Sequence, residues 1–245
     1  MVQLRNPQSP RSVLLACWRQ WRAERSLHRR GIRFRHTDPN IVAAAYAAMT
    51  DREFDAINAP QDWANWRTIP RALNGHVADR PLTVLDLGCG TGSSTRVLAY
   101  YCPAESTIIA YEMAEALLCC ARRRQYLHGS GRLAKVEFVC QGVTEPFRSS
   151  DGSMLPDHSV DLVNASGVVG HHLDADLIRP LIAELQRVLV SDGVAMLDVG
   201  PTLRARALVK IMAAAGFACL GHYRSCFLDP TGEVVFRRLQ SSSQR

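Results

Sequence analysis

The sequence contains no run of about 18 consecutive apolar residues, the length a membrane-crossing helix needs, so no transmembrane segment is expected. Its eight cysteines form no Cys-x-x-Cys pair and no Cys/His spacing that suits a metal site, and no metal is expected. Most of them fall inside apolar patterns, which is how reduced core thiols are used in a cytoplasmic protein. Acidic residues are scarce at the start: residues 1–35 hold nine arginines and one glutamate, a balance of +8. The rest of the chain has 20 basic and 22 acidic residues, so the overall charge of +6 comes from an arm on a nearly neutral body. That distribution argues against a catalytic domain with a basic nucleic-acid face, and it leaves room for an anionic partner at the arm.

With 47% of its 245 residues hydrophobic, the chain can bury the core of one large domain, or of one domain with an appended cap. Its organising stretch runs from Val84 to Thr95. Val84, Leu85 and Leu87 read as a short buried strand. Gly88, Gly90 and Gly92 then allow a tight turn and close backbone approach to a ligand before a helix begins. Thr107 to Tyr111 reads as the next strand, closed by Glu112, whose carboxylate suits ribose hydroxyls and equally suits a helix start. A nicotinamide-binding fingerprint would want glycine or alanine where Ser93 stands and has no counterpart to Asp86, so that reading ranks lower.

Asp86, Gly88, Gly90 and Gly92 resemble motif I of the class I S-adenosylmethionine-dependent methyltransferases, and Ile108 to Met113 resembles that family's second strand and ribose-binding segment. Val160 to Val163 reads as a fourth strand, and Asn164 to Leu173, with His171-His172, resembles the family's motif after it. From about residue 81 to 240 the order of elements matches the family. The resemblance implies an α/β, Rossmann-like fold: a central, mostly parallel seven-stranded sheet, helices on both faces and an N-terminal helical cap. It implies S-adenosyl-L-methionine as cofactor, held by Asp86, Gly88, Cys89, Gly90, Gly92, Glu112 and Met113, by Val143 and Thr144 after the third strand, and by Asn164. Many members carry aspartate where this chain has Val143, so the adenine amino group falls to backbone groups or to Gln141, Thr144 or Glu145. Helices ahead of motif I often lie over the cleft in this family. Tyr46 is therefore either a screen for the donor or an ordinary core tyrosine, and Arg67 either a cation for the methionine carboxylate or a solvated arginine; Trp63 reads as packing.

Residues 1–35 form a basic arm or helix in this reading, 36–80 a helical cap, and 81–245 the S-adenosylmethionine-binding domain. Ser12 caps a helix to about Arg30 that carries Trp18 and Trp21. It either packs on the body through its tryptophans, or serves as an arm for a membrane or nucleic-acid surface, or is an organelle transit peptide. Asp38-Pro39 opens a second helix; a helix after Glu112 is expected to reach about His128; Thr202 caps another that stops at Gly216. Phe217 to Cys226 and Val234 to Leu239 form an expected antiparallel pair.

The donor this family uses is a sulfonium, so the protein must align the nucleophile and exclude water. His171 or His172 either serves as the base for a hydroxyl acceptor or only closes its loop onto the next helix. The chain lacks the Asn/Asp-Pro-Pro-aromatic sequence that grips exocyclic amines, the Pro-Cys nucleophile of pyrimidine carbon methylation, and an evident carboxylate set for Mg²⁺. Methyl transfer to a small-molecule acceptor, oxygen first, is the expectation. The alternatives are an RNA methyltransferase docking through the arginine-rich arm and a non-catalytic binding subunit.

Overall fold

The computed structural model describes residues 12–34, 38–225 and 232–239. Among the described residues four helices precede the sheet: α1 (Ser12–Arg29), α2 (Pro39–Ala47), α3 (Asp51–Ile57) and α4 (Ala59–Leu73). The starts of α2 and α3 are written locally. Asp38 accepts a hydrogen bond from the Asn40 amide ahead of Pro39, and Thr50 and Glu53 form a reciprocal capping box, a device worth about 1 kcal/mol. Leu27 and Phe34 pack with Ala45, Met49 and Ile57, joining α1, α2 and α3 in a small core of their own.

Strands and helices then alternate: β1 (Thr83–Leu87), α5 (Ser93–Tyr101), β2 (Thr107–Glu112), α6 (Glu115–Arg122), β3 (Lys135–Cys140), β4 (Val160–Ala165), α7 (Val169–His172), α8 (Ile178–Val188), β5 (Leu189–Val199), α9 (Ala205–Ala214), β6 (Phe217–Tyr223) and β7 (Gly232–Arg238). The strands form one seven-stranded sheet in the order β3-β2-β1-β4-β5-β7-β6. β1 to β5 are parallel, and β7 runs antiparallel between β5 and β6. Side chains alternate across the pleat. Val84, Ile108 and Leu162 pack with Trp66, Ile69, Val97 and Leu98 of α4 and α5. On the other face Leu85, Leu87 and Val163 pack with Leu181, Leu185, Leu208 and Met212 of α8 and α9.

Several local expectations change. α6 ends at Arg122 instead of near His128: Tyr126 turns inward, is 5% exposed and donates its hydroxyl to Ala121 O, and Leu127 pairs with Leu133 in a short antiparallel bridge. Burying that ring outweighs two more turns of helix. Thr202 does not cap α9, which begins at Ala205 behind Arg204; its hydroxyl donates to His171 O. β5 starts at Leu189, ahead of the Ser191-Asp192-Gly193 turn, and Cys226 lies outside the described residues. α1 does pack on α3 and α4, but through Ala16, Ala23 and Leu27, with Trp18 and Trp21 on the opposite, outer side.

Candidate active site

Strand order reverses between β1 and β4, and the crevice at that point of the carboxyl edge is where open α/β sheets bind ligands. β1 delivers Gly88, Gly90 and Gly92 there with φ of 66°, 55° and 89°. Space is as restrictive as the backbone. A Cβ on Gly88 would lie 2.2 Å from Val168 Cγ2, one on Gly92 2.0 Å from Tyr126 Oη, and one on Gly90 2.7 Å from the Phe54 ring. Only glycine satisfies both conditions, and the free N–H groups of the α5 first turn follow directly behind it.

Glu112 closes β2 one strand away and is 6% exposed. Its Oε2 accepts from Gly90 N at 3.0 Å and its Oε1 from Ala114 N at 2.9 Å. Burial pushes this carboxyl above the usual range and the backbone bonds oppose the shift. Met113 beside it is exposed.

Asp86 is wholly buried with both oxygens taken: Oδ2 accepts from Ser94 Oγ (2.8 Å) and Thr95 Oγ1 (2.6 Å), Oδ1 from Asn164 Nδ2 (2.8 Å). It ties β1 to α5 and β4, and neither it nor Asn164 presents a free group to the crevice. The Cys89 side chain packs with Ala110 and Leu118, where burial pushes its thiol well above the ordinary value.

Val143 packs against the α8–α9 core, a place an aspartate would not fill. Thr144 is half-buried in the same loop. Next to them, Gln141 Nε2 donates to Pro146 O at 3.0 Å, which fixes the amide and leaves its buried Oε1 without a partner.

On the β4–β5 side, Asp198 accepts from the amides of Val168 (2.9 Å), Val169 (2.8 Å) and Gly170 (3.0 Å), and so holds α7 with His171 and His172 at the carboxyl edge. Burial, and then His171, lower the pKa of His172, so its imidazole is neutral near pH 7. Glu233 of β7 lies opposite Asp198 in the register and accepts from Ser166 Oγ. Its second oxygen is buried without a partner, and burial raises this carboxyl to about 8. Gln61, Thr68, His171, Asp198 and Glu233 line a cavity of about 10 Å³.

The N-terminal helices cover the turn. Phe54 stands over Gly90 with Tyr46 edge-on to it at 5.3 Å, and burial followed by the Glu112 charge pushes the Tyr46 hydroxyl up to about 12. Thr91 Oγ1 donates to Asp55 (2.5 Å), Ser93 Oγ to Asp62 (2.7 Å), and Arg124 and Arg96 pair with the same two carboxylates. Arg67 is engaged elsewhere, over the Trp63 ring at 4.9 Å and donating to Ser225 O at 2.8 Å. Among the described residues no group of three His, Cys, Asp or Glu side chains could hold a metal ion. Phe54, Asp55, Asp62, Asp198 and Glu233 carry no motif in the sequence; only the Thr50-x-x-Glu53 capping box marks where α3 begins.

A model of the methyltransferase-domain family matches residues 84–193. A search of curated proteins finds no match. Among solved structures, the methyltransferase complexed with the Haloferax volcanii Trm112 methyltransferase activator superposes with a TM-score of 0.58 at 16% identity, over 80% of this chain and 100% of that one. An S-adenosylmethionine-dependent methyltransferase from Listeria monocytogenes gives 0.52 at 13% identity over 74% and 100%. The [4+2]-cyclase SpnF gives 0.51 at 17% over 71% and 80%. At such identities the likeness is one of fold. The family match runs from β1 into β5 and takes in the glycine turn, Glu112 and Asn164, so over these residues the chain is similar to the methyltransferase-domain family.

Proposed function

We propose that this protein transfers the methyl group of S-adenosylmethionine to a small-molecule acceptor, with oxygen the first candidate for the accepting atom. The observation that carries the reading is the junction of the glycine turn with the Glu112 carboxylate, 3.0 Å from Gly90 N across the crevice. The residues present fit the nucleotide: a turn that any Cβ would fill, a buried carboxylate at the adjoining strand end, and an orphaned buried acceptor, Gln141 Oε1, in the loop after β3. When bound, the cofactor supplies a methyl carbon already activated by a positive sulfur.

The chain's own residues then divide the work. The backbone of Gly88 to Gly92 approaches the donor, Glu112 accepts from ribose hydroxyls, and Gln141 Oε1 accepts from the adenine amino group in place of the aspartate that Val143 replaces, with Met113 and Thr144 beside them. Asp86 and Asn164 act by holding β1, α5 and β4 in register. Tyr46 and Phe54 cover the turn and exclude water. Alignment of this kind lowers a displacement barrier by roughly 7–11 kcal/mol. On the acceptor side, neutral His172 or its neighbour His171 takes the proton of a hydroxyl as it reacts.

Calorimetric titration with S-adenosylmethionine and S-adenosylhomocysteine tests the reading. Micromolar binding is expected for the wild type and is lost in Glu112→Ala and in Gly90→Val. Absence of binding to correctly folded wild-type protein would overturn the enzyme reading and leave a binding subunit.

A further inference from the structure

α1 rests on α3 and α4 through Ala16, Ala23 and Leu27 and turns its other side to water. With about 100° between successive residues, Leu14, Trp18, Trp21, Arg22, Arg25 and Arg29 share that outer side and Leu15 borders it. Leu14 is 75% exposed, Leu15 48%, Trp18 50% and Trp21 56%. Four large apolar side chains along about 10 Å of helix form a patch that marks an interaction surface. Arg22 lies over the Trp18 ring at 4.8 Å and Arg25 over Trp21 at 5.5 Å, so the guanidinium groups frame the rings.

We propose that this side of α1 docks on an anionic phospholipid surface, with Leu14, Trp18 and Trp21 entering the boundary between headgroups and acyl chains and Arg22, Arg25 and Arg29 meeting the lipid phosphates. Two features select this occupant. The charge is complementary and local, +8 over residues 1–35 against −2 for the rest. The aliphatic leucines are aligned with the tryptophans, and this suits insertion beside acyl chains. A single-stranded nucleic acid would use the aromatic faces and the arginines and leave the leucines in water. No described helix is long and apolar enough to cross a membrane, and docking in the surface plane needs none.

The full chain, mixed with phosphatidylcholine vesicles with and without phosphatidylglycerol, provides the test, read by flotation and by the tryptophan emission maximum. The wild type is expected to float only with the anionic vesicles, with a blue-shifted emission and with binding that weakens as salt rises. Trp18→Ala with Trp21→Ala should cut partitioning by about tenfold or more, since each removes a large apolar side chain from the interface. Arg22→Gln and Arg25→Gln should each cost about fivefold. These side chains face water, so circular dichroism and thermal unfolding of the variants should match the wild type. The proposal is overturned if the wild type ignores anionic vesicles, if the double tryptophan variant floats as well as the wild type, or if single-stranded RNA is bound in preference to the vesicles.

Discussion

Glu233 shows how much one residue's surroundings decide. A glutamate at the start of an edge-side strand reads as an ordinary surface carboxylate, yet here it is 2% exposed, with one oxygen on Ser166 and the other unpaired. Its pKa is raised in the folded state from 4.5 to about 8, so the folded protein holds a proton that the unfolded chain releases. The contribution to stability is complete below the unfolded value and is lost as pH rises through about 8. Wild-type protein should therefore lose urea-midpoint stability between mildly acidic and mildly alkaline pH, and Glu233→Gln should flatten that slope; equal slopes in both proteins would exclude Glu233 as its source. Gln141 makes a different prediction. Its Oε1 is buried and unpartnered, so Gln141→Leu should weaken S-adenosylhomocysteine binding by about tenfold, the worth of one hydrogen bond, as calorimetry would measure.

Among the elements, α7 is the one whose placement depends most on its neighbours. It has four residues, too few to hold itself, and the Asp198 carboxylate gathers three of its leading amides from across the sheet. Gly170 then meets the backbone of Gly200, where an added Cβ would fall 2.1 Å from the Gly200 nitrogen. Gly170→Ala must shift one backbone against the other, so a loss of about 1–3 kcal/mol in stability is expected from chemical denaturation. The His171–His172 turn moves with it. Glycine-turn geometry stays intact, so S-adenosylhomocysteine affinity should fall far less in this variant than in Gly90→Val. Calorimetry on both variants compares the two effects.

At the scale of the whole molecule, the N-terminal helices and the sheet meet at the glycine turn, through Phe54 on Gly90 and through Asp55 and Asp62 on Thr91, Ser93, Arg96 and Arg124. A ligand in that crevice is held by both parts and should stabilise the molecule as one unit. At a hundred times its dissociation constant, S-adenosylhomocysteine is expected to add about 2.7 kcal/mol to the unfolding free energy. Denaturant titration with and without the ligand measures this, and a shift confined to one of two separated transitions would contradict the coupling.

The sequence by itself determined the strands, the glycine turn and the start of α2, because these follow from local chemistry: alternating β-branched and aliphatic residues, glycines where φ is positive, and the Asp38-Pro39 cap. It also placed Glu112 beside the turn, since one crossover connection fixes the neighbour of β1. Only the tertiary structure decided which polar groups have partners. Asp86 was legible as the acid of a nucleotide motif, yet its oxygens are taken by Ser94, Thr95 and Asn164. Gln141 was one of several candidates for the adenine amino group, and an unsatisfied oxygen distinguishes it. Asp198 and Glu233 meet α7 and Ser166 across 28 to 67 positions of chain. Burial and hydrogen-bond saturation are properties of an assembled environment, and no local pattern of residue types encodes them.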